Sequence, residues 1–168
     1  MVNDYIPLIE YNASRFNVSP SLIKAIIQQE SNGNANASGA SGEIGLMQIL
    51  PSTGTNLGYT TQQLWDPSTN IEAGTRLIAQ LQNKYDNVSD ILSAYNSGKP
   101  LVSAPSMTHS YVDSVLSKIT DTWNSDTTNN TLVSIPNDSN NLSFIDNISI
   151  IEIGILFGTG LLIWYFIK

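Results

Sequence analysis

Residues 19–31 read SPSLIKAIIQQES, and this stretch decides the fold. Ser19 followed by Pro20 is typical of a helix start, with serine at the N-cap and proline in the first turn. Apolar residues then recur at helical spacing, at positions 22, 23, 26 and 27, and lead to Glu30. Residues 31–33, Ser-Asn-Gly, supply a stop signal. The stretch therefore predicts an apolar helix that ends next to a carboxylate.

Further helices are predicted on the C-terminal side of this stretch. One begins at Asp66-Pro67, again a cap followed by proline, and carries an apolar stripe to Tyr85. Two more cover Val88 to Ser97 and Ser106 to Ile119. No segment shows sustained period-two alternation, so strands should be few, and residues 32–43 are predicted to form a loop. Residues 1–120 are therefore expected to form a mainly α domain.

The composition argues against several classes of site. The chain has 168 residues, a formal charge of -7 and only seven Lys and Arg residues, which disfavours nucleic-acid binding. It has no cysteine, so disulfides and thiolate metal sites are excluded. The single histidine, His109, cannot build a histidine cluster and is expected to be an ordinary surface or helix-start residue. Neither a metal nor a cofactor is expected.

The C-terminal part of the chain differs in composition. Residues 121–147 are polar without helical periodicity and are predicted to form a flexible linker. The segment Ile148–Ile167 has one charge, Glu152, and twenty helical residues would span the bilayer core of about 30 Å. Residues 148–168 are therefore predicted to form a transmembrane helix that anchors the chain to a lipid membrane; the alternative is a buried C-terminal helix. Gly154 and Gly158 could pair such helices, either in self-association or with other membrane proteins.

Glu30 is the candidate catalytic group on physical grounds. It falls at the C-terminal end of an apolar helix, where the helix dipole disfavours a carboxylate and partial burial does the same. Both effects should raise its pKa towards the range that suits a general acid. The alternative is a solvated glutamate at a helix end.

Four short motifs follow one another along the chain. They are Glu30-Ser31, Gly45-Leu46-Met47-Gln48-Ile49, Ala94-Tyr95-Asn96-Ser97-Gly98 and Ser110-Tyr111-Val112. This series resembles the soluble lytic transglycosylases and their relatives, the goose-type lysozymes, whose members carry Glu-Ser, Gly-Leu-Met-Gln, Ala-Tyr-Asn and a late tyrosine in this order. The resemblance covers about Ile6 to Ile119.

The resemblance implies a lysozyme-like helical fold with a glycan groove, and peptidoglycan glycan strands as the substrate. Glu30 matches the catalytic glutamate of the family. In the family that residue protonates the oxygen between N-acetylmuramic acid and N-acetylglucosamine. It then takes a proton from the muramic C6 hydroxyl, which attacks C1 and gives a 1,6-anhydro sugar without water.

The resemblance also assigns supporting roles to other motif residues. Tyr95 and Tyr111 are expected to orient Glu30 through their hydroxyls, or else to be core aromatics. Ser31 is expected to bind substrate or support catalysis. Met47 and Gln48 match groove residues that contact sugar.

Two further motif positions and one carboxylate complete the predicted site. Asn96 is expected either to bind sugar or to cap the following turn, and Gly45 to permit close backbone approach. Glu43 lies two residues before Gly45. As a second carboxylate it could activate water and make the enzyme a hydrolase; the alternative is a loop carboxylate bonded to backbone N–H groups. Asp66 is explained as an N-cap.

The location of the predicted enzyme follows from its two ends. Residues 1–6 do not read as a signal peptide, and the predicted membrane segment comes last. This arrangement favours a protein of a virus particle that contains a membrane, opening the cell wall for genome entry. The alternatives are a transglycosylase for secretion or conjugation in the bacterial envelope, a non-catalytic glycan-binding module, and a lysis protein that acts through its membrane helix.

Overall fold

Prolines mark the starts of four of the six α-helices in residues 1–127, the part of the chain that the computed structural model describes. Proline suits the first helical turn because it has no N–H and that turn leaves its N–H groups unpaired anyway. The helices are α1 Ile6–Phe16, α2 Pro20–Ser31, α3 Pro51–Asn56, α4 Pro67–Gln82, α5 Val88–Ser97 and α6 Ser106–Thr127. Short 3₁₀ turns lie at Val2–Tyr5, Gln63–Trp65 and Leu101–Ser103. The predicted mainly α domain is confirmed.

The predicted helix ends are confirmed at α2 and α4. The Asp66 carboxylate accepts the Thr69 backbone N–H at 2.8 Å, which makes Asp66 the N-cap of α4. Ser19 lies at the N-cap position of α2, but its side chain makes no capping hydrogen bond. At the other end, Asn32 takes a left-handed conformation with φ 51° and stops α2 directly after Ser31.

Three helices differ from the prediction. The sequence patterns did not predict α1 or α3. Helix α6 does not end near Ile119 but continues to Thr127, into the segment predicted to be a linker. No proline or glycine interrupts residues 120–127, so helix propagation meets no breaker there.

Helix α2 supplies the centre of the core. Ile23, Ala25, Ile26 and Ile27 are fully buried, where α2 packs against α6 and α1. Helix α5 packs against α4 and α6, and α1 lies along α4. Because the apolar side chains of α2 are buried in these contacts, the C-terminal end of α2 is fixed, and with it the position of Glu30.

Residues 32–50, called here the groove loop, connect α2 to α3. Backbone bridges between Ser38 and Ile44 and between Ile44 and Ile49 fold the loop back on itself. Within residues 1–127 this is the extent of the β pairing, as expected from the lack of period-two alternation.

The membrane segment predicted for residues 148–168, and the predicted linker beyond Thr127, lie outside the described residues. Within residues 1–127, no helix combines the length and the apolar character needed to cross a membrane.

Candidate active site

Glu30 lies in the last turn of α2, where its carboxylate meets a side chain from α6. The Tyr111 hydroxyl donates a hydrogen bond to Glu30 Oε1 at 2.6 Å. Both residues sit at the α2–α6 packing surface, and Tyr111 is buried. The Tyr111 hydroxyl therefore reaches Glu30, as an orienting role would require.

The surroundings of Glu30 favour its protonated form. Burial raises the pKa of the Glu30 carboxyl above its usual value. The hydrogen bond from Tyr111 opposes this change, and the negative charge of Glu43 adds to it. The raised pKa of Glu30 agrees with the expectation from the sequence, and burial is its largest cause.

Tyr111 is held as a neutral donor. Burial, and then the nearby charge of Glu30, raise the pKa of the Tyr111 phenol far above its usual value. The phenol therefore keeps its proton at any ordinary pH and can stabilise Glu30 when that carboxyl is ionised.

Tyr95 does not orient Glu30 through a hydrogen bond, so this alternative of the prediction is wrong. Its hydroxyl donates to the backbone carbonyl of Met47 at 2.8 Å and so ties α5 to the groove loop. The ring still lines the space next to Glu30. The Met47 carbonyl takes the hydroxyl's only proton, because a turn of the groove loop brings that carbonyl within reach.

Met47 is placed differently from the prediction. Its side chain is fully buried, so it cannot contact a sugar in the groove as expected. It packs against α4 at Gly74, where an added Cβ would lie 2.3 Å from the Met47 sulfur. The absent side chain at Gly74 thus provides the space that Met47 fills, and Met47 anchors the groove loop to the core.

Gln48 lines the groove, but its amide donors are already used. Gln48 Nε2 donates to the carbonyls of Gly45 at 2.8 Å and Ala37 at 3.2 Å. Only its amide oxygen is left to accept a bond from a sugar. The left-handed backbone of Gln48, with φ 47°, belongs to the same turn.

Gly45 has the close backbone approach that was predicted. Its φ is +74°, and an added Cβ would lie 2.6 Å from the Asn70 amide nitrogen. A side chain at this position would therefore be strained in its backbone and would also displace Asn70.

Asn70 is the main residue of the site region that was not predicted to belong to the site. It is almost fully buried, and its amide nitrogen donates to the carbonyls of Ile44 and Leu64, both at 2.8 Å. Its oxygen accepts the Met47 N–H at 2.8 Å. An asparagine on the apolar face of α4, next to Ile71, was the signal that could have identified it.

Ser31 and Asn96 make structural contacts. The Ser31 hydroxyl lies 2.8 Å from the Leu46 carbonyl and links the end of α2 to the groove loop. Asn96 is exposed on the groove, and its side-chain oxygen accepts the Thr108 hydroxyl at 3.1 Å. Asn96 therefore ties α5 to α6, and the predicted cap of the following turn is not seen.

These elements enclose an open groove of about 320 Å³ next to Glu30. Its lining consists of Glu30, Gly39, Glu43, Gln48, Ile49, Leu50, Thr53, Leu77, Tyr95 and Asn96. The Glu43 carboxylate lies at the rim and accepts the Ser41 N–H at 2.9 Å, as expected for a loop carboxylate bonded to backbone. His109 is exposed in the first turn of α6, as predicted. Among the described residues no group of three acidic or histidine side chains could hold a metal ion.

Comparison with known proteins gives the family. Residues 7–107 match the family "Transglycosylase SLT domain". The chain is 33% identical over 107 residues to a protein named "Transglycosylase" from Enterobacteria phage PRD1, covering 64% of this chain and 40% of the phage protein. It is 38% identical over 111 residues to "Membrane-bound lytic murein transglycosylase C" of Haemophilus influenzae strain PittEE, covering 56% and 31% of the two chains.

Solved structures agree with the sequence relatives. An inactive glutamate-to-glutamine mutant of the lytic transglycosylase Slt from Pseudomonas aeruginosa superposes with a TM-score of 0.62 at 26% identity, over 72% of this chain and 24% of that one. The 70 kDa soluble lytic transglycosylase of Escherichia coli superposes with a TM-score of 0.53 at 30% identity, over 68% and 19%.

The fold and the matched residues together place this chain in the transglycosylase SLT domain family, with a mainly helical, lysozyme-like fold. The chain spans less than half the length of these relatives, 40% of the phage protein and 31% of the Haemophilus protein.

Proposed function

We propose that this protein is a peptidoglycan lytic transglycosylase that cleaves the β-1,4 bond between N-acetylmuramic acid and N-acetylglucosamine. The observation that carries the proposal is the partly buried Glu30 carboxyl, which is bonded to Tyr111 and opens on the groove. Family membership supports it, as do relatives that are named lytic murein transglycosylases.

In the first step Glu30 acts as the general acid. Its raised pKa keeps a proton available, and that proton passes to the glycosidic oxygen as the bond from this oxygen to the muramic C1 breaks. The electron pair leaves with the oxygen, and N-acetylglucosamine departs as an alcohol. Positive charge is left on C1 and the ring oxygen, close to the new Glu30 carboxylate.

In the second step the same carboxylate acts as the general base. It takes the proton from the muramic C6 hydroxyl while that oxygen bonds to C1. The product is a 1,6-anhydro sugar, Glu30 is protonated again, and no water is consumed. The Tyr111 hydroxyl stabilises the carboxylate between the two steps, since a bond to a charged acceptor is stronger than one to a neutral acceptor.

Mass spectrometry of digested peptidoglycan tests this proposal. The full chain should release fragments with anhydro-muramic ends, and Glu30→Gln should lower the rate at least about 100-fold, the usual size of a general acid–base contribution. Glu10→Gln, at an exposed position of α1, removes the same charge away from the groove and should leave the rate unchanged. Full activity of the Glu30→Gln variant would refute the assignment.

A second candidate activity is lysozyme-type hydrolysis, which the Glu43 carboxylate on the same groove supports. Glu43 would then activate a water molecule that attacks C1 in place of the C6 hydroxyl. The same digest distinguishes the two reactions, because hydrolysis leaves reducing muramic ends and the transglycosylase reaction leaves anhydro ends. A third outcome, binding of glycan without cleavage, would favour a non-catalytic module.

We further propose that the enzyme acts while tethered to a membrane through residues 148–168 and opens the wall locally for viral genome entry. The nearly uncharged composition of that segment and the phage PRD1 relative support this role. The protein should then be present in the membrane fraction of purified virus particles. Its absence from particles, together with its presence in uninfected cells, would favour a bacterial envelope enzyme for secretion or conjugation.

A further inference from the structure

The groove contains two carboxylates and no cation. Glu30 and Glu43 are both part of its lining, which includes no lysine, arginine or histidine. The ion pairs recorded among the described residues, Arg15 with Glu72 and the N-terminus with Asp4, involve neither carboxylate. Two negative charges on one uncompensated groove repel each other, so one of the two carboxyls is favoured as the proton carrier.

Glu43 is held in a fixed position on this groove. Its Oε2 accepts the Ser41 N–H at 2.9 Å, and the Gly39 N–H donates to the Glu43 carbonyl at 2.9 Å. Gly39 packs so closely that an added Cβ would lie 2.2 Å from Glu43 Oε2 and 2.9 Å from the Gln48 amide oxygen. The Ser41 hydrogen bond and the close approach of Gly39 therefore hold the Glu43 carboxylate against the groove loop.

We propose that Glu43 is a positioning residue for the transglycosylase reaction: its negative charge, on the groove that it shares with Glu30, adds to burial in favouring the protonated Glu30 carboxyl that donates to the glycosidic oxygen. This inference rests on the proposed function for its role in catalysis. It assigns to Glu43 a task different from water activation, because Glu43 acts through Glu30 and not on the substrate.

The surroundings of the two carboxyls decide which one keeps the proton. Glu43 lies near solvent, and its own N–H and that of Ser41 stabilise its ionised form, so its pKa is lowered. Glu30 lies deeper, among Tyr111 from α6, Tyr95 from α5 and Glu43 from the groove loop. Both phenols stay neutral, so among these groups Glu43 is the charge that Glu30 meets.

The test compares Glu43→Gln with Glu43→Asp and with the matched control Glu10→Gln. Glutamine keeps the shape and can still accept the Ser41 N–H, but it removes the charge; aspartate keeps the charge. Carbon-13 NMR titration of the Glu30 carboxyl in the full chain measures its pKa directly. The alkaline limb of kcat/KM against pH, where Glu30 loses the proton it must donate, measures the consequence.

We expect the pKa of Glu30 and the alkaline limb to move to lower pH in Glu43→Gln, and kcat/KM on that limb to fall several-fold. Glu43→Asp should restore most of the loss, and Glu10→Gln should change neither value. The difference between the parent protein and Glu43→Gln should shrink when salt is raised from about 0.01 M to 1 M, because the Debye length falls from about 30 Å to 3 Å.

Two results would overturn the inference. One is a Glu30 titration that Glu43→Gln leaves unchanged, and the other is loss of activity at every pH in that variant, which would place Glu43 in the chemistry itself. The NMR titration needs no turnover. Failure of the proposed function would show separately, as the absence of anhydro-muramic ends with the parent protein.

Discussion

The two sides of Glu30 are built in different ways. On one side, α2 and α6 pack through apolar side chains, and Tyr111 reaches Glu30 from within that packing. On the other side, the groove loop buries apolar side chains such as Met47 and is also tied by polar contacts to its backbone, above all those of Asn70. The helical side therefore sets the position of Glu30, and the loop side shapes the groove that faces it. Substitutions on the two sides should accordingly have different effects on the free energy of unfolding and on the pKa of Glu30.

Asn70→Ala should give the largest effect on stability. It removes three buried hydrogen bonds, those to the N–H of Met47 and to the carbonyls of Ile44 and Leu64, although the Ile44 carbonyl keeps the Ile49 N–H at 3.0 Å. At about 1 kcal/mol for each hydrogen bond, the free energy of unfolding should fall by about 3 kcal/mol. Urea denaturation of the variant and the parent protein measures this difference.

Asn12→Ala, in helix α1, is the matched control for a buried asparagine outside the groove loop and α4. Asn12 is also almost fully buried, but its side chain makes one recorded hydrogen bond, to the Leu8 carbonyl of its own helix at 2.9 Å. Its Oδ1 has no partner, so the substitution should cost only about 1 kcal/mol. Equal losses for the two asparagines would show that Asn70 does not hold the groove loop.

The difference between the two sides also explains what the sequence could predict. Residues 20–31 and 88–97 repeat apolar residues at helical spacing, and that pattern predicted α2 and α5. Helix α1 carries a similar signal, with buried Ile9 and Ala13 four residues apart, although it was not among the predicted helices. Local patterns of this kind depend only on neighbours along the chain.

The loop side depends on residues far apart in sequence. Met47 is buried because Gly74 leaves space for its sulfur, and the Tyr95 hydroxyl bonds the Met47 carbonyl and not Glu30. Neither contact can be read from spacing within one motif. The family motifs therefore contain residues that the structure brings together, whereas the contacts of Met47 and Tyr95 required the tertiary structure.

Gly74→Ala tests the contact that anchors the loop to α4. In an open helix this change would stabilise by up to about 1 kcal/mol. Here the new Cβ would overlap the sulfur, Cε and Cβ of the buried Met47, so we expect a net loss of about 1–2 kcal/mol. A double-mutant cycle with Met47→Ala provides the control. Once the longer side chain is gone, Gly74→Ala should be neutral or stabilising, and a loss that persists in that background would contradict the assigned contact.

Tyr111→Phe and Tyr95→Phe are expected to change stability little. Together they test most directly which side of Glu30 controls its pKa. The Tyr111 hydroxyl bonds the Glu30 carboxylate and lowers its pKa, so its removal should raise the pKa of Glu30 further. The alkaline limb of kcat/KM should then move to higher pH, opposite in direction to Glu43→Gln. The rate at the optimum should fall about tenfold, because the carboxylate formed between the two steps loses a charged hydrogen bond.

Tyr95→Phe removes a hydroxyl of the same kind from the loop side. The Met47 carbonyl loses its bond, which should lower the free energy of unfolding by about 1 kcal/mol and leave the alkaline limb in place. Parallel pH–rate profiles and urea titrations of the two variants measure both quantities. If the two variants shifted the alkaline limb of kcat/KM equally, Tyr95 would act on Glu30 despite bonding to Met47. The proposed difference between the helical side and the loop side would then be wrong.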